Sequence, residues 1–110
     1  MWQRALSSAG GGGTNLTTIV NGSTFNTTGT TQTITVNGIS KIHIVIMWQT
    51  DDTNPWYVFA IDKVNGSLYN DVRRRDSTLA NLGVQAIRGN EFDFYWSTVN
   101  KPFNYYVIGE

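Results

Sequence analysis

Apolar and polar side chains alternate with a period of two along most of this chain, and Asn-Gly or Gly-Asn pairs interrupt the alternation at short intervals. A period of two is the spacing of a β-strand with one buried face. Residues 15–20 predict a first strand. Asn21-Gly22 follows as a strong two-residue hairpin signal, with residues 24–28 as the return strand. Residues 31–36 alternate threonine with Ile34 and Val36 and lead into a second expected hairpin at Asn37-Gly38. Residues 39–49 carry the clearest alternation. Ile42, Ile44, Ile46 and Trp48 share one face, Lys41, His43, Val45, Met47 and Gln49 the other, and the isoleucine face is the one expected in the core.

Beyond a polar loop at residues 50–55, residues 56–62 read as a strand that is apolar on both faces, and Asn65-Gly66 as a further turn. Residues 68–82 are irregular and fit a short strand, a turn of helix or a crossing between sheets. Residues 83–88 and 91–98 form a strand pair around Gly89-Asn90. Phe92, Phe94 and Trp96 face one way there, and Glu91, Asp93, Tyr95 and Ser97 the other. Residues 103–108 close the pattern. About eight short strands at this spacing predict an all-β fold, an antiparallel two-sheet β-sandwich of jelly-roll-like type.

The chain is 110 residues long, enough for one domain. The sandwich is assigned to residues 14–110. Residues 1–13 stand apart from it. Trp2, Arg4 and Leu6 lie in a short amphipathic segment followed by a Gly/Ser linker with four consecutive glycines. Such a linker reaches on the order of 15 Å, which suits a docking peptide whose Trp2 and Leu6 enter a partner. Residues 1–13 lack the apolar stretch of a signal peptide, so the N-x-[ST] triplets at Asn15, Asn21, Asn26 and Asn65 are read as chance in a threonine-rich chain. No apolar run has membrane-spanning length.

Formal net charge is zero and cysteine is absent. Neutrality argues against nucleic acid and anionic membrane as partners, and the missing thiols exclude disulfides and thiolate metal sites. Asp51, Asp52 and Asn54 offer oxygen ligands but too few for calcium, so no metal and no cofactor is expected. Asp51, Asp52, Asp62, Asp71, Asp76, Glu91 and Asp93 show no spacing that pairs them for acid/base work. His43 has no nucleophile beside it in sequence and reads as a surface or subunit-contact imidazole. Arg73-Arg74-Arg75, flanked by Asp71 and Asp76, reads most simply as a solvated loop with internal ion pairing, the alternative being a contact to phosphate or to a carboxylate-bearing partner surface. No catalytic residue is assigned, and the chain is expected not to be an enzyme.

Aromatic residues crowd the later strands, and a sandwich of this size cannot hide both faces of each. Tyr95, Tyr105 and Tyr106 are therefore candidates for a subunit interface. Trp56 and Tyr57, with Asp52 and Asn54 bonding hydroxyls, are candidates for a glycan site.

The opening Met-Trp-Gln-Arg-Ala-Leu followed by Ser-Ser-Ala-Gly-Gly-Gly-Gly resembles the start of small virion proteins of tailed bacteriophages and prophages. The Thr/Asn-rich strands ending in Tyr-Tyr-Val-Ile-Gly-Glu are similar in style to tail, fibre or capsid-decoration domains. The resemblance implies a structural or adhesion role in a virion assembled from proteins made in the bacterial cytoplasm. It implies a homo-oligomer, commonly a trimer, anchored to other virion proteins by the N-terminal peptide. The second expectation is a carbohydrate-binding, receptor-recognising domain. A small hydrolase is the third.

Overall fold

A computed structural model describes residues 16–63, 67–75 and 77–110. Its strands are β1 (Thr18–Asn26), β2 (Gln32–Thr35), β3 (Ile42–Gln49), β4 (Tyr57–Asp62), β5 (Leu68–Arg74), β6 (Ser77–Thr78), β7 (Gly83–Arg88), β8 (Glu91–Tyr95) and β9 (Lys101–Gly109). They form a six-stranded sheet in the order β1-β9-β3-β4-β5-β6 and a three-stranded sheet in the order β2-β8-β7, every pairing antiparallel. The β-sandwich expected from the periodicity is what the chain forms, with nine strands among the described residues in place of about eight. The first strand pairs with the last and the second with the last but one, the nesting of a jelly roll, while β3 to β6 run as a meander. No helix lies among the described residues, so none there is long and apolar enough to cross a membrane.

The core lies between the sheets. Val45, Met47, Val58, Phe92, Phe94, Phe103 and Val107 are fully buried, and each contributes about 1.5–3 kcal/mol over an exposed side chain. Phe94 packs edge-on to Phe103 at 5.0 Å and stacks on Trp96 at 6.1 Å. This is the Phe92, Phe94 and Trp96 face expected from alternation.

Four expectations are corrected. First, Asn21-Gly22 is not a hairpin: β1 runs straight through it and pairs with β9, Gly22 opposite Tyr105. Gly22 is a close-approach position, because a Cβ there would stand 2.5 Å from the Tyr105 hydroxyl oxygen. The missing side chain makes room for the ring. Second, Asn37-Gly38 turns the chain, with Gly38 at φ 91°, but it joins the two sheets and makes no hairpin, since β2 pairs with β8 and β3 with β9 and β4.

Third, the faces of β3 are reversed. Val45 and Met47 are in the core, while Ile44, Ile46 and Trp48 point outward, half-buried. A register shift between Ile42 and Ile44 leaves His43 as an extra residue, so Ile42 and His43 are both buried. The bulge separates Ile42 from the isoleucines that appear to share its face. Fourth, Arg73 and Arg74 end a strand instead of lying in a loop. Residues 68–82 contain β5, β6 and then the crossing to the smaller sheet, one of the alternatives weighed for this stretch. The turn expected at Asn65-Gly66, like the docking peptide, falls outside the described residues.

Asparagine amides tie the crossings down. Asn70 on β5 donates to the Leu82 carbonyl at 2.8 Å and accepts from the Val84 N–H at 2.9 Å. It thereby holds the start of β7 beneath β5. Gly83 between them sits at φ 95°, and a Cβ there would meet Asn70 Oδ1 at 2.7 Å. Asn26, 1% exposed, donates to the Thr98 carbonyl at 2.5 Å and accepts from the Lys101 N–H at 2.8 Å. It fixes the return from β8 to β9. Replacing Asn70 by alanine strands two backbone groups, and we expect it to lower unfolding free energy by about 1–3 kcal/mol. Asn21→Ala, on the exposed face of β1, should change it by under about 0.5 kcal/mol. Urea unfolding of both variants measures the difference.

Candidate functional site

The smaller sheet covers only the inner face of the larger one. Register places the outward side chains of the larger sheet in rows. Ile19 on β1 lies opposite Ile108 on β9, which lies opposite Ile44 on β3, then Ile61 on β4 and Tyr69 on β5. This row is apolar across five strands. The next row runs Asn21, Tyr106, Ile46, Phe59, Asp71, and the third Ser23, Asn104, Trp48, Tyr57, Arg73. Exposure on this face is high for apolar groups: Ile19 59%, Tyr57 53%, Tyr106 43% and Tyr69 41%. The Trp48 and Tyr106 rings lie 5.4 Å apart and those of Phe59 and Tyr69 6.5 Å apart. Charge enters at the β5 margin, where Arg73 Nε pairs with Asp71 Oδ2 at 2.5 Å, which raises the Arg73 pKa through that hydrogen bond.

The outer face of the smaller sheet has the opposite character. Arg88 grips Asp93 through two hydrogen bonds of 2.7 and 2.8 Å, pairs with Glu91, and shares Asp93 with the Thr33 hydroxyl. The Arg88 and Thr33 hydrogen bonds hold the Asp93 carboxyl below its ordinary value of 3.8. Polar side chains that bond one another across strands are what a face left in water carries.

A pocket of about 430 Å³ opens at the end of the sandwich where β3 leads to β4, the chain crosses to β7 and β8 leads to β9. Trp56, Trp96, Leu79 and Leu82 supply its apolar lining. The Arg74 guanidinium lies 4.6 Å from the Trp56 ring centre, and the two indoles meet edge to face at 6.3 Å. Asp52, Gln49 and Lys101 stand around it, with Lys101 held 3.6 Å from Asp51.

No protein family, curated protein or solved structure matches this chain.

Strand alternation scatters the residues singled out in the sequence. Tyr105 is buried, 8% exposed, against Gly22 and Phe92, and burial pushes its phenol pKa up. It is not on a surface, which corrects the interface assignment. Tyr106, its neighbour, is on the outer face of the larger sheet, and Tyr95 is on the opposite side of the molecule, on β8 of the smaller one. Trp56 and Tyr57 likewise part: Trp56 and Asp52 reach the pocket, while Tyr57 is on the outer face. Asn54 lends its N–H to Asp52 Oδ1 at 3.0 Å in a local turn. Arg74 stood in the sequence as part of an arginine run, and Trp96, Leu79 and Leu82 were assigned to no site, because only the pairing of β4 with β5, the crossing after β6 and the end of β8 bring them to Trp56. Ile19, Ile61, Ile108 and Tyr69 went unmarked too, although an apolar residue at every second position of two-sided strands was the available signal.

His43, expected at the surface, is 3% exposed. Its Nε2 lies 2.7 Å from Glu110 Oε2, and its Nδ1 is buried without a partner among the described residues. The carboxylate can only accept, so Nε2 carries the hydrogen. That hydrogen bond lowers the Glu110 pKa from its ordinary 4.5.

Both lowered carboxyls make stability depend on acid. A folded pKa below the unfolded one means the contribution is complete above the ordinary values of 4.5 and 3.8 and is lost as pH falls through the lowered folded values. The urea midpoint should be flat down to about pH 5 and fall below it, and Asp93→Asn should flatten the fall while lowering the plateau.

Proposed function

We propose that this chain is a non-enzymatic, self-associating structural module, and that a second copy covers the outer face of its larger sheet. The contrast between the two outer faces carries the reading: one is a network of charges and hydroxyls, the other an apolar surface. Five strands about 4.8 Å apart and three rows about 7 Å apart give that surface on the order of 500 Å². Two copies face to face would remove about 1,000 Å² from water, the lower bound for a specific interface and the size of weak, reversible ones.

The pattern is self-complementary. With a two-fold axis along β3, Ile46 meets the partner's Ile46, Tyr106 meets the partner's Phe59, and Tyr69 meets the partner's Ile19. Asp71 and Arg73 then lie over the partner's Asn21 and Ser23, so no like charges oppose. A single patch that matches itself closes as a two-fold pair, whereas a three-fold ring needs two different patches. This geometry favours a dimer over the trimer implied by the resemblance. That resemblance, in residues 1–13, supports placing the module in a virion, anchored through Trp2, Arg4 and Leu6. β1 begins at Thr18, its end farthest from the pocket, on the order of 25 Å away along the strand.

Sedimentation of the full chain across the micromolar range should show a reversible dimer. Ile46→Asp puts two carboxylates together on the axis and should weaken it by at least about hundredfold, or ~2.8 kcal/mol, as should Phe59→Lys. Far-ultraviolet circular dichroism should show both variants folded. A wild-type chain that stays monomeric at millimolar concentration overturns the reading.

A further inference from the structure

The pocket at the loop end of the sandwich has no part in the face just described, and it is built unlike the rest of the surface. We propose that it binds a saccharide bearing a carboxylate, a pyranose of the uronic-acid type. Its volume of about 430 Å³ falls within the ~300–1,000 Å³ of small-ligand sites, enough for one sugar ring and part of a second.

Arg74 identifies the charged group. Arg73 is paired with Asp71, and Arg88 with Asp93 and Glu91. Among the described residues no carboxylate pairs with Arg74, which lies half-buried on the Trp56 ring instead. A guanidinium packed against an indole keeps its N–H donors for a ligand, and a guanidinium fork can grip a carboxylate through two parallel bonds. Lys101 adds a second cation on the rim, steadied by Asp51.

The remaining lining identifies the body of the ligand. Leu79, Leu82 and the edge of Trp56 offer apolar contact to the C–H face of a ring. Asp52 only accepts hydrogen bonds and Lys101 only donates them, while Ser97 and Thr98 do both. Donors and acceptors set side by side suit adjacent hydroxyls. A polyanion is disfavoured, because Asp51 and Asp52 offset the two cations.

Ligand-observed NMR with the full chain tests this, using glucuronate, glucose and acetate as probes. Saturable binding of glucuronate, about tenfold tighter than glucose or acetate, is the expected result. Arg74→Met should erase the preference for glucuronate over glucose, and Trp56→Phe should weaken both sugars. Equal binding of acetate and glucuronate would show a bare anion site and overturn the saccharide. No saturable binding of any probe, or an unchanged preference in Arg74→Met, would overturn the proposal as well. Phe59→Lys, monomeric by the preceding reading, should bind glucuronate like the wild type, so failure of one idea is separable from failure of the other.

Discussion

Among the described residues a six-stranded sheet that is apolar on both faces has three strands to cover it, and most of this molecule follows from that shortage. The smaller sheet covers one face and builds the core around Phe92, Phe94 and Phe103. The other face keeps Ile44, Ile46, Trp48, Tyr57 and Phe59 with nothing over them among the described residues. Burial is the dominant favourable term in folding and in association alike. The side chains that fill the core and those left outside are of the same kind, and the same free energy that folds one chain is available to join two.

Something must decide which apolar face goes inward, since hydrophobicity does not. On β3 the decision rests on local polar geometry. The bulge at His43 lets Ile42 and the imidazole both turn inward, and Glu110 receives the ring hydrogen. Gln49, also inward, receives the Trp56 N–H at 3.4 Å and so begins β4. Across the sandwich, Asn26 and Asn70 hold the crossings by bonding backbone groups that no strand partner reaches. An unpaired buried peptide group costs more than a typical hydrogen bond contributes, which is why these few amides fix the relation of the sheets more firmly than their number suggests.

How far the sequence could be read follows from the same physics. Period-two alternation located β2, β4, β7, β8 and β9 and the sandwich itself, because each carries enough β-branched or aromatic residues to have no helical alternative. It failed at Asn21-Gly22, where a glycine needed for the Tyr105 ring has the same spelling as a glycine needed for a turn. It failed on β3, where both faces are apolar and where His43 and Gln49, taken as outward, are buried and bonded to Glu110 and to the Trp56 N–H. The surplus of aromatics was legible and its location was not, since Tyr105 and Tyr106 point opposite ways and only the pairing of β9 with β1 and β3 decides which. The pocket was half legible: Trp56 and Asp52 belong to one loop, but Arg74 arrives through sheet register and Trp96 from the other sheet.

The two proposed surfaces constrain each other. A two-fold axis lying along β3 keeps positions along the strands unchanged between the two copies, so both pockets come to the same end of the pair. An axis across the strands would send them to opposite ends, and it would also set Asp71 over the partner's Asp71. The charge pattern on β5 that selects the first arrangement therefore also aims both pockets in one direction, while both first strands begin at the other end. Two such sites facing the same way would raise the effective affinity for a saccharide whose uronic acid recurs between neutral sugars, without a new contact. In the proposed pair the two copies lie parallel, and the distribution of charge along β5 is the feature that would select that arrangement.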